Sequence, residues 1–357
     1  PRPRGEVARR AGGGEPPSTT VLLLRPCAGA EPELERTLSS LPILGGHRLR
    51  VCFITAEPGD PAEPAIRQAL ASLKARGLQS EHRLGPPLGP NRKLSQLHAG
   101  LAGAEEEIIL CVDSDVDLEG LPLEAMVGPV QAGLAAAWAP PVEVQVRSRG
   151  DRLSRAVLGG SLHAFPLLCG IDPGGLVGKC FAVRRSALEA IGGLSPLAHH
   201  LGEDMELSRR LRAAGLAVGP AAVVCRSLVA GRSPRAVRER LSRWILVIRG
   251  QRPALLLSYP LLLAASPLQL GLALVLGEPS LVLFVLAARL AIAALARWRS
   301  GLSLHLGGLL VDSAVGDPML LWAWLRALLS RRLSWRGQEM WVDRGGRLRQ
   351  VGRSAPL

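Results

Sequence analysis

The chain has 357 residues, room for one large or two medium domains, and its 43 Lys and Arg against 30 Asp and Glu leave a formal charge of +13. Aromatics are only 3% of it, so the interleaved basic and stacking side chains of a nucleic-acid binder are missing and no nucleic-acid partner is expected. The Arg residues cluster beside apolar stretches instead, as on a cytoplasmic membrane face. Cys27, Cys52, Cys111, Cys169, Cys180 and Cys225 are scattered, with no CxxC and no Cys/His pair at metal spacing. They read as small buried hydrophobes in a reducing compartment.

Residues 1–18, rich in Pro, Gly and Arg, read as a linker or disordered segment. The chain starts at Pro1 without Met, which leaves room for an upstream segment, and no signal-peptide pattern opens it. Thr20–Pro26 is the first strand. A helix over 31–41 puts Leu34, Leu38 and Leu41 on one face. A second strand, 49–55, ends in Glu57-Pro58-Gly59-Asp60-Pro61, and a helix over 63–76 follows. This alternation predicts a mostly parallel sheet of nucleotide-binding type, an α/β fold.

Gly89-Pro90-Asn91-Arg92-Lys93 then leads into a helix reaching Gly103. Lys93 is a candidate nucleotide contact or a solvated cation at a helix start. The apolar run Ile108-Ile109-Leu110 delivers Cys111-Val112-Asp113-Ser114-Asp115-Val116-Asp117, around which the chain is organised. In open α/β sheets the C-terminal strand edge binds ligands. Asp113 and Asp115, two apart, point to one side of an extended chain, and two hard oxygen ligands suit Mg²⁺ or Mn²⁺ carrying a diphosphate. An acidic turn after a strand has the same spacing. Asp117 has no assigned role.

Residues 134–146 read as a further strand, and the Gly-rich turn Asp172-Pro173-Gly174-Gly175 runs into an apolar strand. Ser186 is expected to cap a helix ending at Gly192-Gly193. His199 and His200 are expected in an exposed loop. Glu203 and Asp204 open a helix reaching Gly215, where the helix dipole alone already favours acids. A strand over 217–225 precedes a basic helix over 234–249 that carries Arg240-Leu241-Ser242-Arg243-Trp244. A membrane-surface helix with an interfacial Trp244 explains that pattern as well.

From 254 the composition changes. Residues 254–277 are apolar without a charge, long enough to span a hydrocarbon layer of ~30 Å. Residues 280–296 are apolar except Arg289 and end at Arg297 and Arg299; 302–329 contain His305, Asp312, Asp317 and Pro318. Arg331, Arg332 and Arg336 place the tail on the cytoplasmic side with the globular part. The third stretch is then expected to be re-entrant or interfacial, with a third full span as the alternative, and its two carboxylates touch a lipid hydroxyl or face water. The expected organisation is a catalytic domain over 19–233, an interfacial helix over 234–253, a membrane domain over 254–329 and a basic cytoplasmic tail over 330–357.

An acid after the second strand, an Asp-x-Asp after a later one, a Glu-Asp pair opening a helix and Arg-x-x-Arg-Trp before membrane spans occur in that order. A nucleotide-diphosphate sugar needs such a set: a metal and cations on the leaving diphosphate, and a base on the acceptor hydroxyl. With these stretches, and with Leu22 to Gly29, Asn91 to Leu97, Gly178 to Arg185 and Ser334-Trp335-Arg336-Gly337, the chain resembles a processive-type GT-A glycosyltransferase of family 2. It is most similar to the ceramide glucosyltransferase branch, family 21, with its hopanoid-biosynthesis relatives. The resemblance runs from Thr19 to about Arg349.

The resemblance implies a GT-A nucleotide-diphospho-sugar transferase fold followed by membrane helices, a UDP-sugar donor and a lipid acceptor, ceramide favoured. By it, Pro26, Cys27, Gly29 and Glu57 line the uridine pocket, and Lys93 approaches the nucleotide. Asp113 and Asp115 hold diphosphate and metal, Asp204 is the general base of an inverting displacement, and Arg240, Arg243 and Trp244 close over diphosphate and acceptor entrance. The family usually has Asp where this chain has Glu57. A hopanoid or diacylglycerol acceptor, a processive polysaccharide synthase and a non-catalytic nucleotide-sugar-binding membrane protein are the alternatives. The catalytic domain is expected in the cytoplasm, at a bacterial inner membrane.

Overall fold

The computed structural model describes residues 19–228, 231–335 and 338–350. The linker expected over 1–18 and the Arg336-Gly337 pair of the late motif lie outside the described residues. Strands and helices alternate through the first part as β1 (Thr20–Pro26), α1 (Leu34–Ser39), β2 (Arg48–Thr55), α2 (Glu63–Ala75), β3 (Gln79–Leu84), α3 (Arg92–Gly100) and β4 (Ile108–Val112). β1 pairs in parallel with β2 and β4, and β2 with β3. Burial at nearly every position of β1 and at all of β4 fits strands covered on both faces. β3 escapes a hydrophobic reading because Gln79-Ser80-Glu81-His82-Arg83 are all polar. It is the sheet edge, held by backbone pairing and by ion pairs from Glu81 to Arg50 and Arg83.

The chain continues through β5 (Val116–Asp117), α4 (Glu124–Gln131), β6 (Ala136–Trp138), β7 (Pro141–Val144), α5 (Arg149–Gly159), α6 (Phe165–Ile171), β8 (Cys180–Arg184), α7 (Arg185–Ala190), α8 (Glu203–Ala213), β9 (Val218–Pro220) and β10 (Cys225–Leu228). The central sheet has the order β3-β2-β1-β4-β8-β6-β9, with β8 alone antiparallel to its neighbours. Two expected strands are each broken in two. Over 134–146, β6 joins the central sheet and β7 a small one; over 217–225, β9 and β10 divide the same way. Proline explains the first break, because Pro140 has no N–H for the ladder. Ser186 lies inside α7 rather than capping it, and its hydroxyl donates to Glu107. α5 was not anticipated: it buries Gly150, Asp151 and Ser154 beside Ala156, Val157 and Leu158, and a Ser148–Asp151 capping box starts it.

The last part comprises α9 (Pro234–Gln251), α10 (Leu255–Leu276), α11 (Pro279–Arg299), α12 (Leu306–Leu329), β11 (Arg332–Trp335), β12 (Gln338–Val342) and β13 (Leu348–Gln350). α10 and α11 are long and apolar enough to cross a membrane, and they leave Leu257, Leu261, Leu274, Leu283 and Phe284 exposed. The third apolar stretch is one unbroken helix. α12 packs along α5, α9, α10 and α11. Asp312 and Asp317 are buried and pair with Arg297 at 2.7 Å and Arg289 at 2.9 Å on α11. Residues 332–335 and 338–350, grouped by composition with a basic tail, supply the strands of a three-stranded antiparallel sheet. All six cysteines are free and buried, as their apolar surroundings predict.

Candidate active site

The candidate groups meet where β1, β2 and β4 end. Because β8 runs the other way, its first residue, Cys180, pairs with Val112 and brings Lys179 to the same edge. Asp113 and Asp115 do not sit on an extended segment as expected. They flank a turn closed by the Val116 N–H donating to the Asp113 carbonyl at 3.1 Å. Arg25 explains the turn. Its buried guanidinium donates to the carbonyls of Asp113 (3.1 Å), Ser114 (3.3 Å) and Val116 (2.7 Å), and to Thr37 (2.8 Å) behind them. A cation without a carboxylate partner is costly to bury, so these four carbonyls are its solvation shell and the loop conforms to it.

Both carboxylates converge on one cation, the Lys179 ammonium. It donates to the two Asp115 oxygens at 2.6 and 2.5 Å and lies 3.4 Å from Asp113 Oδ2. Burial pushes the Asp115 carboxyl up, but Lys179 outweighs it and holds the group at about 2. The Ser227 hydroxyl adds a donor at 3.0 Å. Glu31 accepts from the Ser114 hydroxyl at 2.6 Å, and its carboxyl is raised by burial and by the charge of Asp115. Asp117 turns away, buried against Arg36 at 3.1 Å.

Lys93 joins this loop to α8. Its ammonium lies 2.7 Å from Asp113 Oδ1 and 3.3 Å from Glu203, and it donates to the Gly178 carbonyl at 2.7 Å. Burial opposes that charge, yet Asp113 and Glu203 raise the Lys93 pKa above its ordinary value. Asp204 stands beside it in the first turn of α8. Its two oxygens accept the Gly178 N–H at 2.7 Å and its neighbour Met205's N–H at 2.8 Å. Burial, with the charge of Glu203 adding and Lys93 opposing, raises the Asp204 carboxyl to about 6. Asn91 caps α3 and donates to Glu203 at 3.0 Å, so the two acids have different partners.

Pro26, Cys27 and Gly29 form the loop leaving β1. The Cys27 thiol is buried and pushed up to about 12, so it packs as a neutral group. The Gln96 amide donates to the Cys27 carbonyl at 2.6 Å. Glu57 is largely exposed and 3.6 Å from Arg92. Asp60 is the acid that touches the first loop: it accepts the Gly29 N–H at 2.8 Å and the Ala62 N–H at 2.9 Å. Arg240 donates to Glu143, which also takes Arg232 at 2.7 Å, and its guanidinium lies 4.6 Å over the Trp244 ring. Trp244 packs edge-on to Phe165 at 5.5 Å, and Arg243 follows Arg240 on the same helix.

The C-terminal sheet reaches this site. The Leu201 N–H donates to Gly346 at 2.8 Å and the Leu348 N–H to His199 at 2.7 Å. Gln251 from α9 donates to the Leu201 and Gly202 carbonyls at 2.8 and 2.9 Å. His200, expected in an exposed loop, is consequently buried, while His199 stays exposed. Gly202 precedes Asp204 with φ +69°, and a Cβ there would lie 2.3 Å from Val247. The segment carrying Asp204 is thus gripped by α9 and by the end of the chain.

Sequence reasoning missed Arg25, Asp60, Lys179 and Glu143 as members of this network. Only Lys179 carried a signal, as a lone cation between a glycine and an apolar strand. The donor chemistry of Asp113 and Asp115 fits Mg²⁺ or Mn²⁺, because two hard carboxylates converge on a single cation position. Among the described residues no cluster of three His, Cys, Asp or Glu completes a cage. Diphosphate oxygens and water are the natural remaining ligands of such an ion.

The mostly parallel sheet with acids gathered where its strands end, together with the family match, makes this a GT-A-like glycosyltransferase that uses a nucleotide sugar. The chain belongs to glycosyl transferase family 21, which it matches over residues 6–348. No curated protein matches it. Among solved structures, a mannosyltransferase from Pyrobaculum calidifontis, in complex with GDP-Man and Mn²⁺, is 20% identical over 86% of each chain, with a TM-score of 0.45. Glucosyl-3-phosphoglycerate synthase from Mycobacterium tuberculosis is 20% identical over 65% of this chain and 78% of its own, with a TM-score of 0.38.

Proposed function

We propose that the protein is an inverting, metal-dependent transferase that moves a hexose, glucose favoured, from a UDP-sugar to a hydroxyl of a membrane lipid, ceramide favoured. The observation that carries this reading is the Asp204 carboxyl, raised to about 6 and held by two backbone N–H groups beside the Asp113–Asp115 cluster. A general base works best with a pKa near the operating pH, and one base suffices for a single displacement with inversion. Asp204 takes the proton of the acceptor hydroxyl as it attacks the anomeric carbon. Asp113 and Asp115 hold Mg²⁺ or Mn²⁺, which neutralises charge on the leaving diphosphate, and Lys93 adds a positive charge on the same side. Pro26, Cys27, Gly29 and Glu57 serve the uridine end. Arg240, Arg243 and Trp244 serve the diphosphate and the acceptor entrance.

A lipid acceptor is supported by α9, which runs from Arg240 and Trp244 directly toward two helices of membrane-crossing length. In the proposed topology α10 and α11 form a hairpin across a bacterial inner membrane. α12 lies at the cytoplasmic interface, so that β13 returns to the loop before Asp204 on the same side. Asp204→Asn should retain UDP-sugar binding and lower transfer by about 10²–10⁴-fold, the range of general-base catalysis. Wild-type turnover in that variant would remove Asp204 as the base. Incubation with UDP-glucose, UDP-galactose or UDP-N-acetylglucosamine and with ceramide, diacylglycerol or total lipid, read by product mass, tests donor and acceptor. A glucosylated ceramide is the expected product.

A further inference from the structure

Lys179 has no part in the transfer just described, yet it stands where the two carboxylates meet. Its ammonium holds both Asp115 oxygens at 2.6 and 2.5 Å and lies 3.4 Å from Asp113 Oδ2. A divalent ion bound by Asp113 and Asp115 would use the same oxygens, and two cations a few ångströms apart repel strongly. The two compete for the same Asp115 oxygens and the Asp113 Oδ2, so one displaces the other.

We propose that Lys179 and the divalent cation are alternative occupants of the Asp113–Asp115 pair, and that the Lys179 ammonium passes to the diphosphate when metal and nucleotide bind. The inference rests on the nucleotide-sugar reading above. The backbone of Lys179 stays put in this exchange: its carbonyl accepts the Asp113 N–H at 2.9 Å, and Cys180 is paired with Val112 in the sheet. The side chain is free to swing, because a lysine is a point charge on a flexible four-carbon stem, and this one is still 18% exposed. Lys93 is not displaced, since it binds the other oxygen of Asp113 and also Glu203 and Gly178. Asp113 therefore keeps one ammonium whichever cation sits on Asp115.

The consequence is thermodynamic coupling. A metal arriving alone must dislodge an ammonium held by two oxygens and leave it without a partner. A metal arriving with a diphosphate provides that partner. Metal and nucleotide then favour each other's binding, reciprocally.

The test uses the full-length purified protein with Mn²⁺ and UDP as probes. Mn²⁺ binding is followed by electron paramagnetic resonance with and without UDP. In the wild type, UDP should tighten Mn²⁺ binding about 5- to 150-fold, the usual span of such coupling. Lys179→Met should bind Mn²⁺ alone about tenfold tighter or more and lose most of the enhancement by UDP, as expected of a direct competitor. Lys179→Arg retains the charge and should keep weak binding of Mn²⁺ alone. A Met variant with wild-type affinity for Mn²⁺ alone and an unchanged UDP enhancement overturns the exchange. So does an Arg variant that binds Mn²⁺ alone as tightly as the Met variant. Failure of the wild type to bind UDP in the presence of Mn²⁺ would instead remove the nucleotide-sugar reading.

Discussion

Two groups of opposite charges in this molecule differ in how they are paired. Between α11 and α12 each acid has one cation of its own: Asp312 with Arg297 and Asp317 with Arg289. At the sheet edge Asp113, Asp115, Glu203 and Asp204 crowd round Lys93 and Lys179, and the ammoniums are shared. One-to-one pairs remove charge from an apolar setting and hold helices in register. Within the shared cluster Lys179 holds Asp115 at about 2 against its burial, while burial and the charge of Glu203 raise Asp204 to about 6. The first arrangement is structural, and the second is the kind that supports chemistry.

That contrast can be broken from either side. The largest stability effect belongs to the helical pairs. Asp312→Ala leaves Arg297, 1% exposed, without its carboxylate and should destabilise the fold by about 3–5 kcal/mol in chemical denaturation. Replacing both partners, Arg297→Met with Asp312→Leu, should recover most of that loss, since a buried pair exchanged for apolar groups is often neutral. At the sheet edge the pattern reverses. Asp113→Asn leaves no cation alone, because Lys93 retains Glu203 and Lys179 retains Asp115. It should barely move the melting transition, yet weaken UDP binding in Mn²⁺ by about 2–5 kcal/mol, the range for removing one partner of a buried charged contact, measured by calorimetry.

Smaller effects sharpen the role of the frame around Asp204. Gly202→Ala forces a Cβ against Val247 at a left-handed position and should cost about 1–3 kcal/mol. Steady-state kinetics should show kcat falling while KM for the UDP-sugar holds. The smallest is a titration. The Asp204 carboxyl is protonated below about 6, so transfer should fall tenfold per pH unit on the acid side, about 1.4 kcal/mol each, and level off above it. A rate independent of pH down to 4.5 would dissociate Asp204 from the proton transfer.

The strands that were legible were those whose burial is apolar, such as Leu22-Leu23-Leu24 and Ile108-Ile109-Leu110. β3 was silent because a polar edge strand carries no hydrophobic period. The acids of the site were visible from their order along the chain. Their partners were not: Arg25 in an apolar strand and Asp60 in a proline-rich turn become site residues only through contacts 31 to 91 positions away.

The sequence by itself determined the alternating α/β pattern, the Asp-Ser-Asp after β4, the Glu-Asp opening α8 and the two apolar helices. Each is a local pattern, set by hydrophobic period or by residues a few positions apart. Only the tertiary structure decided what the acids face. It turned the Asp113–Asp115 loop around Arg25, put Lys179 on both carboxylates by running β8 against β4, and brought β13 back to the segment before Asp204. The physical reason is that charge pairing depends on distance through space, and strand direction and chain return are settled by packing the whole sheet.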